Sequence, residues 1–304
     1  MEFEPIWGAP IAMYLFLAGL GAGAFVAATA VGRMAPQAKR TVRAGRVIAL
    51  GAVAVGLVLL MVDAKGGFLH PWRFALLLGN VQSVMTWGVV FLAAFVVIAA
   101  VVVVRDLLRK SVPFGLEAAG CGFAIAVAMY TGVLLGVVKT FPLWNSAVLP
   151  FLFLVSAMST GVCAVFLFAR LVCPNEVEKL AFLEHVHGWL PWVETVLVVA
   201  LLFFVGLSSE AGAASVVALL TGQWALVFWL GFVVVGLALP LVLHLVQGRV
   251  GAGVRDACGA EVHGACPRVE SGRACGAVSD AATIVGGFLL RYLVVMAALP
   301  VVLL

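Results

Sequence analysis

Few side chains in this sequence can move a proton or hold a polar ligand, so their positions can be followed one by one. Of the three tyrosines, Tyr14 and Tyr130 each lie about two turns from one end of a long apolar run, and Asp63 closes another run. The connection that follows reads Asp63-Ala-Lys65-Gly-Gly-Phe-Leu-His70-Pro-Trp-Arg73-Phe74, and a later one reads Lys139-Thr-Phe-Pro142-Leu-Trp144-Asn145. Buried phenol hydroxyls want hydrogen-bond partners. A site with apolar walls, a few hydroxyl and carboxyl groups and aromatic rings at one membrane interface suits a quinone. The quinone tail stays in lipid, while its two carbonyl oxygens need hydrogen bonds and protons. A structural aromatic belt is the competing account of the same residues.

A second set lies inside the apolar runs, where an ionisable group is costly and marks a functional site by default. Glu117 and Glu194 each sit about one turn into a run, Asp280 opens the last run, Arg291 lies near its middle, and His244 stands near the end of the run before it. The plainer reading of the carboxylates is electrostatic. In a first helical turn they favour the N-terminal dipole and can snorkel, and this applies most strongly to Asp280. Arg291 is too deep for that and calls for an internal carboxylate or backbone carbonyls, a structural ion pair being its leading reading. None of the five His lies mid-run with a partner at similar depth, which speaks against bis-His haem ligation. Cys258, Cys266 and Cys275 with His263 lack the C-x-x-C spacing of a metal cluster, so no bound metal is expected.

The elements that must hold these groups are membrane helices. The 304 residues are 64% hydrophobic and 11% charged, with a mean hydropathy of +1.20. A soluble domain is about 45–50% apolar and about 25% charged. That excludes a soluble enzyme, a disordered chain, a nucleic-acid binder and a disulfide scaffold. Outer-membrane barrels would show alternating segments of roughly ten residues instead. Apolar runs against breakers predict eight spans, over residues 9–31, 47–62, 85–104, 114–138, 148–172, 190–207, 224–246 and 277–302. Only one connection, 175–188, reads as having structure of its own, a short interfacial amphipathic helix. Gly19 and Gly23 in span one make a small-xxx-small face for close helix packing rather than a nucleotide loop. The opening Met1-Glu2-Phe3-Glu4-Pro5 is acidic, unlike the basic start of a secretory signal, so the first run is expected to remain as a span.

Lys and Arg set the orientation, because they accumulate in cytoplasmic loops. Fourteen of the 18 fall in the connections after spans one, three, five and seven, beginning with Arg33, Lys39, Arg40, Arg43 and Arg46. The alternate connections hold only Lys65, Arg73 and Lys139. Both termini are therefore expected outside the cytoplasm, with Tyr14, Tyr130 and Asp63 near the outer face. Trp7, Trp72, Trp87, Trp144 and Trp224 fall near that interface as anchors.

Several blocks together resemble the NrfD-like, polysulfide reductase membrane-anchor family. They are Trp7-Gly-Ala-Pro10 through Tyr14 to Gly19-Leu-Gly-Ala-Gly23; Asp63 followed by Leu69-His-Pro71-Trp-Arg73-Phe74; and Ser83-Val-Met85-Thr-Trp87-Gly88. Tyr130-Thr-Gly132, then Pro142-Leu-Trp144-Asn145 and Pro150-Phe-Leu-Phe153, form the most specific block, and Glu194 also fits. The match runs over roughly residues 5–200 and is weaker beyond. The resemblance implies an all-α polytopic protein of eight transmembrane helices in two four-helix bundles, in the inner (cytoplasmic) membrane. It implies a subunit without a bound cofactor that anchors a ferredoxin-like iron–sulfur subunit and a molybdopterin catalytic subunit on the outer face. Such a subunit exchanges two electrons and two protons with menaquinone or ubiquinone. By motif, Tyr130 is a quinone ligand, Tyr14 stands where the family can place a polar ligand, and Asp63 and Arg73 line the outer mouth. Lys139 and Trp144 come from the loop above. Glu194, and with it Glu117, are candidates for proton conduction.

The chain is thus expected to form one membrane domain over 1–304. Residues 1–147 would hold helices one to four with the quinone site, and 148–304 helices five to eight. Two other functions fit a polytopic chain with intramembrane carboxylates: a secondary transporter, and a purely structural anchor. Against the transporter, no span is broken near its middle by paired Gly and Pro.

Overall fold

A computed structural model describes residues 8–63, 82–245 and 267–299, and all regular structure among them is helical. Eight helices are long and apolar enough to cross a membrane, as the apolar runs require. They are α1 (Ala9–Met34), α2 (Lys39–Asp63), α3 (Val84–Leu107), α4 (Phe114–Gly136), α5 (Val148–Val172), α6 (Ala181–Ser208), α7 (Val227–Leu245) and α8 (Pro267–Met296).

The helices differ from the sequence reading chiefly at the starts of α2, α6 and α8, which precede their apolar runs, and in the connections around α6. α2 begins at Lys39, before the apolar run, because its basic first turns find partners on other helices. The segment 175–188 is not a separate interfacial helix. A single turn, Pro174–Val177, and a 3-10 turn, Glu178–Leu180, lead into α6, which runs on through Pro191. Proline is tolerated there because neighbouring groups in a bundle satisfy the backbone it frees. The connection between α6 and α7 does carry structure: a helix over Glu210–Leu220, whose N-cap Ser209 accepts a hydrogen bond from the Gly212 amide at 3.1 Å.

α1, α5 and α8 are the most enclosed helices, while α2, α6 and α7 turn large apolar side chains such as Val196, Phe203 and Leu230 outward. α5 packs on α1, α2 and α4 as well as on α6 and α8, so the two halves of the chain share it. Small residues permit this. A Cβ on Gly23 would stand 1.9 Å from the Ala157 carbonyl oxygen, and one on Gly161 would stand 2.2 Å from the Gly23 backbone. The small-xxx-small face of α1 is thus a backbone-to-backbone seam with α5. Gly236 and Gly286 do the same for α7 and α8.

At the end where α1 meets α2, buried charges tie four helices together. Glu117 of α4 pairs with Arg33 of α1 and Arg46 of α2, and Arg46 also reaches Asp106 of α3 at 2.6 Å. At the same end Glu176 caps α2. Its carboxylate accepts from the Thr41 amide at 2.9 Å and the Thr41 hydroxyl at 2.6 Å. Partial burial opposes ionisation of Glu176, yet these bonds outweigh it and hold the carboxyl below its ordinary range.

Candidate functional site

Near the other end, α3 and α4 diverge around a groove of about 330 Å³ lined by Trp87 and Phe91 of α3 and by Met129, Tyr130 and Val133 of α4. Its walls are apolar except for the Tyr130 phenol and the Trp87 indole. Glycine seats the phenol. A Cβ on Gly88 would stand 1.9 Å from Cζ and 2.1 Å from Oη of Tyr130. Trp87 and Phe91 stack one turn apart, with ring centroids 5.9 Å apart, and form the aromatic wall. Tyr14 of α1 is buried against Gly56 of α2, and its phenol lies within electrostatic reach of Tyr130.

The other expected site residues are placed less uniformly. Trp144 is buried and stacks on Phe141 at 4.2 Å, and its indole N–H donates to the Val294 carbonyl of α8 at 2.7 Å. It pins the α4–α5 connection to α8. Lys139 is exposed on that connection. Asp63 is the last residue of α2, and Arg73 lies outside the described residues, as do His263, Cys258 and Cys266. Of the expected site residues, Tyr130 alone lines the groove, with Tyr14 within electrostatic reach of it.

The intramembrane carboxylates fare differently from one another. Glu117 does sit in the first turn of α4, where the dipole favours it, but both of its oxygens face guanidinium groups. Glu194 and Asp280 are not in first turns, because α6 and α8 begin well before them. The dipole reading fails for these two. Glu194 is buried beside the Ser156 hydroxyl and feels the charge of Arg291. Arg291 is wholly buried. It donates to Ser156 Oγ at 3.1 Å, to the Gly287 carbonyl at 3.0 Å and to the Phe153 carbonyl at 3.2 Å, and stands over the Phe153 ring. Of the partners expected for it, backbone carbonyls are its direct ones, and Glu194 acts on it only through its charge. Gly19 makes the space: a Cβ there would lie 2.6 Å from the guanidinium.

Asp280 is fully buried and joins a cluster that the sequence does not reveal. Arg170 Nε lies 3.0 Å from Asp280 Oδ2, His187 Nε2 lies 3.7 Å from Oδ1, and His187 Nδ1 lies 3.5 Å from Cys163 Sγ. His187 is hidden in the sequence because its segment has the pattern of a surface helix; in α6 it meets the His244 ring of α7 at 6.3 Å. Two histidines on different helices therefore do pair. Cys163, His187 and Asp280 are the ligand types of a metal site and lie within 4.8 Å of one another. Yet the imidazole stands between the other two with one nitrogen toward each, and Arg170 already neutralises the carboxylate.

Taken together, the chain is a multi-pass α-helical membrane protein with an aromatic groove between α3 and α4 and buried polar groups in its second half. It belongs to the NrfD family: the family model described as polysulphide reductase, NrfD, matches residues 1–302. The C subunit of the polysulfide reductase of Wolinella succinogenes is 36% identical, covering 79% of this sequence and 83% of that protein. Protein NrfD of Escherichia coli is 32% identical over 85% of this sequence and 91% of its own length. The NrfD homolog of Haemophilus influenzae is 30% identical over 79% and 83%.

Proposed function

We propose that this protein is the membrane-anchor, quinone-reactive subunit of a multisubunit respiratory oxidoreductase in the inner membrane. It exchanges electrons between menaquinone or ubiquinone and an extracytoplasmic ferredoxin-like iron–sulfur subunit, which serves a molybdopterin catalytic subunit. The relative named as a subunit of polysulfide reductase supports the class of complex. The observation that carries the quinone reading is the Tyr130 phenol, seated on Gly88 at the wall of an apolar groove between α3 and α4. A quinone ring can enter there from lipid while its tail stays outside. Tyr130 then donates a hydrogen bond to a carbonyl oxygen, with Tyr14 behind it. Asp63 and Arg73, with Lys139, would stand at the outer mouth, and Trp144 would fix the loop above. Of the two carboxylates considered for protons, we favour Glu194, which lies deep in α6, over the doubly paired Glu117.

Tyr130→Phe tests this in the assembled complex. One hydrogen bond contributes about 0.5–1.5 kcal/mol net, so quinone-linked turnover should fall about two- to tenfold while assembly is kept. Asp63→Asn should lower turnover further if that carboxylate carries protons. Unchanged quinol turnover in both variants, with the complex assembled, would remove the site and leave the purely structural anchor. Solute uptake by the protein alone would favour the transporter instead.

A further inference from the structure

We infer that the basic end of α2, with the connection from α3 to α4, holds the phosphate of an anionic phospholipid, and that the exposed face of α2 receives one of its acyl chains. The inference is independent of the quinone reading. It requires only that the α1–α2 end lies at a membrane surface.

The cations at that end divide into two sets. Arg33 and Arg46 are taken by Glu117 and Asp106, and Arg105 donates to the Ser111 carbonyl at 2.7 Å. Lys39, Arg43, Arg109 and Lys110 are exposed and pair with no carboxylate among the described residues. Glu176 does not serve them, since it caps Thr41, which is buried on the far side of α2 from Arg43.

This second set gathers at one seam. Lys39, Arg43 and Arg46 recur at i, i+4 and i+7 along one side of α2. Arg46 reaches Asp106 of α3 at 2.6 Å, so that side is the one toward α3. About one turn beyond this bridge, toward the membrane surface, stand Arg43 on α2 and Arg109 and Lys110 at the end of α3. Arg109 holds its place against local preference. It takes the left-handed position that closes α3, with φ 55°, where glycine ordinarily stands. Its amide bonds to the Asp106 carbonyl at 3.1 Å, and the Lys110 amide bonds to the Arg105 carbonyl at 2.9 Å.

Below these cations the outside of α2 is apolar. Val47, Gly51, Val55, Val58 and Val62 are exposed at helical spacing, while Gly45 and Val53 pack toward α1. A Cβ on Gly51 would meet nothing within 4 Å, so the row has a notch beside the backbone. The notch lies eight residues from Arg43, roughly 12 Å along the helix, a depth at which an acyl chain runs. Setting the topology calls for cations on this side, but not for an open apolar row beneath them, nor for cations from two elements at one seam. An inorganic anion would match the cations alone, and a neutral lipid the row alone. An anionic phospholipid matches both, because basic segments attract such headgroups and their stems can lie along apolar surface.

The test is native mass spectrometry of the intact complex, with phosphatidylglycerol or phosphatidylcholine of the same chains added in detergent. Phosphatidylglycerol should stay bound and raise the unfolding midpoint, and phosphatidylcholine should do neither. Lys39→Gln combined with Arg43→Gln should lower phosphatidylglycerol retention at least about tenfold, since each cation near an anionic surface counts for roughly a fivefold change. Arg109→Asn, which keeps a residue tolerant of left-handed backbone, should lower it as well. Gly51→Leu fills the notch with a good helix former and leaves every charge in place, and it too should lower retention. Glycerol phosphate, which has no chains, should leave the midpoint where it is. Equal retention of the two lipids would overturn the inference. So would unchanged retention in Gly51→Leu, which would reduce the site to diffuse attraction by the basic end. A midpoint shift with glycerol phosphate equal to that with phosphatidylglycerol would also overturn it, leaving a site for the anion alone.

Discussion

Gly88 decides where the Tyr130 phenol can be, and it does so by having no side chain. A methyl group at this position would overlap the ring at about 2 Å, closer than any real contact. Gly88→Ala should therefore displace the phenol and lower quinone-linked turnover at least as much as Tyr130→Phe. The double variant distinguishes displacement from a general packing defect. If Gly88 acts only through the ring, Gly88→Ala adds little to Tyr130→Ala. Additive losses measured in the assembled complex would show that Gly88 serves α3–α4 packing alone. The tyrosines and the glycine are all visible in the sequence, but their contact is not, since it depends on how α3 crosses α4. Trp144 is legible as an aromatic at the end of a span; that its N–H is spent on α8 follows from the packing of the α4–α5 connection.

At the scale of helices, the sequence carries the number of membrane spans but not the connecting helix Glu210–Leu220, and the misplaced span starts have a common cause. Apolar runs mark where a helix needs lipid, not where its backbone starts. α2, α6 and α8 all begin in polar sequence, because the bundle supplies partners that hydropathy alone does not contain. His187 and the pairing of Asp280 are hidden by those boundaries. The same polar ends give two stability predictions. Glu117→Gln leaves Arg33 and Arg46 without their shared partner. Breaking a buried pair costs up to about 3–5 kcal/mol, reduced here because Arg33 is half exposed. The detergent-solubilised protein should unfold at a clearly lower temperature, and an unchanged midpoint would assign the cluster no structural role. Glu176 gives a pH-dependent term. Its carboxyl is held below its unfolded value by the α2 N-terminus, so its stabilisation is present above the unfolded pKa and disappears as pH falls through the folded one. Glu176→Gln should flatten the acid limb of the stability profile, and an unaltered limb would count against the cap.

For the whole molecule, the sidedness of the chemistry depends on which way the eight helices run. Eight crossings among the described residues are an even number, so both ends of the chain are expected on one side. The connections after α1, α3, α5 and α7 hold most of the Lys and Arg, and positive charge is retained in the cytoplasm. The structure gives that side a second signature. Arg33, Arg46, Asp106, Glu117 and the Glu176 cap all gather at the α1–α2 end, whereas the Tyr130 groove lies toward the opposite end. The basic residues are thus partly spent inside the fold, and Arg46 is almost wholly buried, so the charge left to set topology is smaller than the sequence count. Lys39, Arg40, Arg43, Arg105 and Arg109 remain on the same side, against Lys139 among the described residues of the alternate connections. The bias therefore survives the subtraction. Alkaline phosphatase fused after Leu304 should be active and green fluorescent protein at the same point dark, because the first needs an oxidising exterior to fold and the second fails there when exported unfolded. A fusion inserted between α1 and α2 should behave in the opposite way. Bright fluorescence at the C-terminus would turn the molecule over. It would put the Tyr130 groove on the cytoplasmic side and the Glu117 cluster on the opposite one.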